Sequence, residues 1–75
     1  MDENSLQEIR EAASKLQWAL GEVTFRSKKL QKHIANDPDL APEFEAKVNE
    51  FMKMISLISS QYRHDIADAL KSKLS

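Results

Sequence analysis

The sequence predicts an all-α fold, an antiparallel two-helix hairpin with coiled-coil-like packing, and leaves a dimeric state open. Three observations predict it. Two long runs of apolar residues recur at steps of three and four, the helical period. A single break, Asn36-Asp37-Pro38, separates them. The 75-residue chain holds one Gly, two Pro and no Cys. That is too few turn formers for a β-rich fold, and disulfides cannot staple the chain.

The first helix is expected over about residues 5–35. Ser5 and Glu8 have the spacing of a capping box, and Asp2 and Glu3 place negative charge where the helix dipole favours it. The seam then reads Leu6, Ile9, Ala13, Leu16, Leu20, Val23, Ser27, Leu30 and Ile34, a heptad pattern interrupted only by Ser27. Lys28, Lys29, Lys32 and His33 gather at the C-terminal end, where cations complement the dipole. Asn36-Asp37-Pro38 is expected to stop the helix, since Asn36 tolerates a left-handed cap and Pro38 disfavours helix at Asp37.

After a turn at about residues 36–41, the second helix is expected over about 42–73. Asp37 or Asp39 can cap it, Pro38 or Pro42 suits its first turn, and Glu43 and Glu45 suit its dipole. Its seam reads Phe44, Val48, Phe51, Ile55, Ile58, Tyr62, Ile66, Leu70 and Leu74. Steps of four dominate after Ile58, so this seam is expected to drift around the helix. The link is short enough to make the helices antiparallel neighbours in a single domain of residues 1–75.

Composition narrows the functional classes. The formal net charge is −1, so no strong field draws the chain to nucleic acid or to a membrane surface. No apolar run reaches the ~20 residues that span a bilayer, and the start Met1-Asp2-Glu3-Asn4 is unlike a secretory signal. The expected location is the cytoplasm. No Ser-His-Asp set, carboxylate pair or glycine-rich phosphate loop is present, so the chain is read as non-enzymatic and without cofactor or metal. His33 reads as a helix-end cation. His64 and Asp65 are sequence neighbours that project from different sides of a helix.

The residues point instead to surface. The stretch from Phe51 to Ile58 is apolar on nearly every side, and such a helix is normally covered all round. In the first helix Trp18 and Phe25 lie off the seam, seven residues apart, with Gly21 between them. In the second, Met54 and Leu57 lie off the seam and Met52 flanks it. These surplus groups are expected to form one band midway along the rod and to mark an interface, with a foreign protein or with a second copy. A bent hairpin that folds them inward is the alternative.

The stretch Met54-Ile55-Ser56-Leu57-Ile58-Ser59-Ser60-Gln61-Tyr62-Arg63-His64 resembles the small cytoplasmic E component of bacterial type III secretion systems, a co-chaperone of the needle subunit. The resemblance implies a protein-binding role with two partners, the needle subunit and a larger helical-repeat chaperone, which together keep the needle subunit unpolymerised. Trp18, Gly21, Phe25, Met54 and Leu57 would then form the contact set, with Gln61 at its edge. Asp37-Pro38 followed by Phe44, Lys47, Glu50 and Phe51 is similar to needle and inner-rod subunits, so a structural subunit of the same apparatus is the first alternative. A hairpin adaptor for another protein or for nucleic acid is the second.

Overall fold

The computed structural model describes residues 2–74; residues 1 and 75 of the expected domain lie outside it. Helix α1 spans Glu3–Ala35 and helix α2 spans Ala41–Gln61. A π-helical segment, Tyr62–Ala67, continues α2 into the short helix α3, Asp68–Leu74. The second rod returns antiparallel to α1, since the Arg10 guanidinium reaches the Leu74 carbonyl at 3.0 Å. The expected hairpin is therefore the observed architecture.

Both helix ends differ from expectation in detail. Asp2, not Ser5, caps α1: the Ser5 backbone N–H donates to Asp2 Oδ1 at 2.7 Å. A carboxylate three residues before a free N–H makes the stronger, charge-assisted cap and lets the helix begin earlier. That N–H donor holds the Asp2 carboxyl below its ordinary pKa. At the other end Asn36 is right-handed, with φ −88° and ψ −3°, rather than left-handed. The reason lies in Asp37, whose Oδ1 accepts from the N–H groups of Asp39 and Leu40 at 2.9 and 3.1 Å. Its carbonyl accepts from Ala41 N–H at 2.9 Å. Asp37 thus caps a right-handed turn that leads into α2, with Pro38 where no N–H is needed and Pro42 in the first turn of the helix.

The seams are rotated from those expected. Leu6, Ile9, Ala13, Leu20, Ser27 and Ile34 turn toward the second rod, but Leu16, Val23 and Leu30 remain exposed. Thr24 and Gln31 take the inward positions one residue on. The second rod does the same. Phe44, Val48, Ile55, Tyr62, Leu70 and Leu74 face in, whereas Phe51, Ile58 and Ile66 are exposed in favour of Met52, Ser59 and Ala67. The expected drift after Ile58 does not occur. The π segment takes in one residue more than an α-turn, so a step of five, from Tyr62 to Ala67, returns to the same face.

Three polar groups on this seam, those of Gln31, Tyr62 and Thr24, are satisfied across the rod or within their own helix. Gln31 Nε2 donates to Asn49 Oδ1 at 2.6 Å near the turn. The Tyr62 hydroxyl donates to the Ala13 carbonyl at 2.7 Å further along. Thr24 Oγ1 donates back to the Leu20 carbonyl at 2.9 Å. The first two bonds fix the register, and removing one partner would leave an unpaired polar group in a part-buried seam.

The hairpin has almost no interior. Among the described residues only Ile55, Tyr62 and Ser27 are buried, and no side chain is wholly enclosed. The rod measures 56 × 18 × 12 Å with a radius of gyration of 16.9 Å, against about 11 Å for a compact chain of this length. It exposes 6243 Å², where a compact monomer of its mass exposes about 4,700 Å². Tyr62→Phe removes the bond to Ala13 and is expected to lower stability by about 1 kcal/mol, measured as a shift of the urea midpoint with helical circular dichroism unchanged.

Candidate protein-binding groove

One flank of the hairpin is an open groove of about 690 Å³ between α1 and α2. Its walls set small residues, Gly21, Thr24 and Ser27 from α1 and Ser56, Ser59 and Ser60 from α2, beside the apolar side chains of Leu20, Phe25, Met52 and Ile55. Gln17, Tyr62 and Arg63 carry it on into a second hollow of about 390 Å³ beside α3. The charged groups lining the larger hollow are Lys28 and Arg63, with no carboxylate, although the chain carries 12 Asp and Glu. The groove is therefore a locally positive strip on a nearly neutral protein.

Two features of the groove have no use inside the hairpin. A Cβ added at Gly21 would meet nothing within 4 Å. The glycine therefore relieves no crowding within the chain, yet glycine in a helix interior costs about 1 kcal/mol relative to alanine. The Ser59 hydroxyl oxygen is buried without a hydrogen-bond partner, which is uncommon for a buried polar group. A backbone seated against Gly21 would gain from the first feature.

The six residues expected to form one contact patch do not share a surface. Gly21 and Phe25 line the groove, and Trp18 follows on the same stripe of α1, at the spacing i, i+3, i+7. Met54, Leu57 and Gln61 form an equivalent stripe on α2. Met54 lies two residues from the groove residues Met52 and Ser56, and Gln61 lies two from Ser59 and Arg63. Two residues is about 200° of rotation, so both face away from the groove. Leu57 points outward between them. None of the large apolar members is folded inward: Trp18 and Leu57 are both 70% exposed, Met54 55% and Phe25 53%. The expected band is thus real in height along the rod but divided between two sides.

Sequence reasoning passed over Ser56, Ser59, Ser60, Lys28 and Arg63 as groove residues. A signal was present in the heptad-spaced polar set Gln17, Thr24 and Gln31, one residue beyond the apolar positions Leu16, Val23 and Leu30.

The remaining constellations are structural. Among the described residues no group of three or more His, Cys, Asp or Glu could hold a metal ion. His64 pairs with Asp68 at 3.9 Å rather than with Asp65, on an exposed face. Within the basic run, Arg26 is paired with Glu22 at 3.1 Å and the Lys29 ammonium sits 4.6 Å from the centre of the Phe25 ring. Among the described residues no helix is long and apolar enough to cross a membrane. Gly21→Ala is expected to raise the stability of the isolated protein by up to about 1 kcal/mol, read from chemical denaturation. Destabilisation would mean that the open space at Gly21 is already filled.

No family model, curated protein or solved structure matches this chain.

Proposed function

We propose that this chain is a non-enzymatic protein-binding module whose groove receives an amphipathic, acidic helix of another protein. The observation that carries this reading is the groove itself: a long channel in which glycine, serine and threonine stand beside Leu20, Phe25, Met52 and Ile55, positive at Lys28 and Arg63 and free of carboxylates in its larger part. Small residues let a third helix approach closely. The basic pair would favour glutamate or aspartate on its flank. Trp18 and Phe25, on the lip above Gly21, are the aromatic anchors.

The finer reading is the co-chaperone role, with a type III secretion needle subunit and a helical-repeat chaperone as partners in the cytoplasm. What supports it is the placement of the residues that carry the resemblance. Ile55, Ser56, Ser59, Ser60, Tyr62 and Arg63 line the groove, so one face of the resembling stretch belongs to the proposed binding surface, while Met54, Leu57 and Gln61 face away from it. A needle-type or inner-rod subunit would instead assemble into filaments.

A photo-crosslinking side chain placed at Ser60, in cells that make the protein, tests both levels. The expected result is a covalent adduct with an acidic helical segment of a foreign protein, lost when Gly21→Leu fills the groove. A needle-type subunit or a helical-repeat chaperone in the adduct would support the finer reading. Adducts that survive Gly21→Leu, or that join only copies of this chain, would overturn the groove as the foreign partner's site.

A further inference from the structure

We propose that a second copy of this chain packs on the face opposite the groove, so that two hairpins form a four-helix bundle. The inference does not depend on what occupies the groove.

The first ground is the direction of the apolar surface. Val23 lies two residues from the groove residues Gly21 and Phe25, and Ile58 lies two from Ser56 and Ser60. Both therefore face away from the groove. At heptad spacing from them, Leu16 and Leu30 extend the stripe on α1 and Phe51 extends it on α2. All five side chains are exposed. The apolar midline of each helix is thus turned away from its partner helix, by half of one residue step or roughly 50°, toward this common back face. A lone helix pair has no reason to aim its apolar arcs aside. A four-helix bundle does, because each helix there faces the bundle centre, midway between its two neighbours.

The second ground is symmetry. The bonds Gln31–Asn49 and Ala13–Tyr62 fix the register of the two rods. Between them, Val23 falls level with Met54 and Ile55. The α1 stripe is centred on Val23, with Leu16 and Leu30 equidistant from it. The α2 stripe, Phe51 and Ile58, is centred on the same level. One two-fold axis across the rod at that height therefore lays Leu16 against Leu30 of the other copy, Phe51 against Ile58, and Val23 against itself. A surface that is its own complement under a single dyad is what an isologous dimer requires.

The third ground is area. The surface of 6243 Å² exceeds that of a compact monomer by about 1,500 Å². A standard interface takes about 800 Å² from each partner. The surplus covers such a contact and leaves surface for the groove. The formal net charge of −1 opposes association only weakly.

Because the chain has no cysteine, one introduced thiol reports the dyad directly. Under mild oxidation Val23→Cys is expected to give a disulfide-linked dimer with unchanged helical circular dichroism, several-fold faster than Gly21→Cys in the groove. Sedimentation equilibrium of the unsubstituted protein is expected to give twice 8.6 kDa. A mass of one chain at sub-millimolar concentration, or Val23→Cys crosslinking no faster than Gly21→Cys, would overturn the proposal. Either result would leave the Ser60 crosslinking experiment, and the groove, untouched.

Discussion

Two helices meet along one line, and one line can bury only one stripe of each. This geometric limit governs the whole molecule. The two rods here carry apolar arcs wider than a single stripe, as helices of larger bundles do. The hairpin therefore buries one edge of each arc and leaves the other in water. Eleven large apolar side chains among the described residues stand between 42% and 70% exposed as a result. Full burial of such a side chain is worth about 1.5–3 kcal/mol. These are already partly covered, so completing the burial of each is worth a part of that, yet the eleven together rival the whole stability of a small domain.

What the contact line does bury is unusual for its polarity. Thr24, Ser27, Gln31 and Asn49 sit where a self-sufficient coiled coil would place leucine or isoleucine. The bonds that cross between the rods, Gln31 to Asn49 and Tyr62 to Ala13, give register rather than much net stability. The same rotation sorts the two open flanks. One becomes the locally positive groove, which mixes small polar residues with Leu20, Phe25, Met52 and Ile55, and the other becomes the apolar back face. The proposed foreign helix and the proposed second copy thus follow from a single angular choice, and each would supply burial that the chain cannot supply to itself.

The architecture was legible in the sequence because its signals are local and mutually consistent: period, break and turn residues all point to a hairpin. Helix ends were legible to within a few residues, although the identity of the first cap was not, because Asp2 and Ser5 both have an N–H three residues ahead. Rotation of the seam was not legible. Leu16 and Gln17, or Phe51 and Met52, differ by one step of about 100°, and only packing decides which turns inward. Periodicity favoured Val23 and Leu30, whereas the structure places their neighbours Thr24 and Gln31 inside, where each finds a hydrogen-bond partner. The π segment was hidden for a similar reason, since steps of four read equally well as a drifting α-helix. The six expected contact residues shared a height on the rod, which sequence spacing can give. They did not share a side, which depends on the rotation.

The central claim is that the hairpin alone lacks enough interior to be a finished unit, and the thermal midpoint as a function of protein concentration tests it most directly. A midpoint that climbs steadily from micromolar to sub-millimolar protein is expected, because whatever covers the apolar face binds only the folded chain. A sharp two-state transition at one temperature across that whole range, with the mass of a single chain throughout, would contradict it.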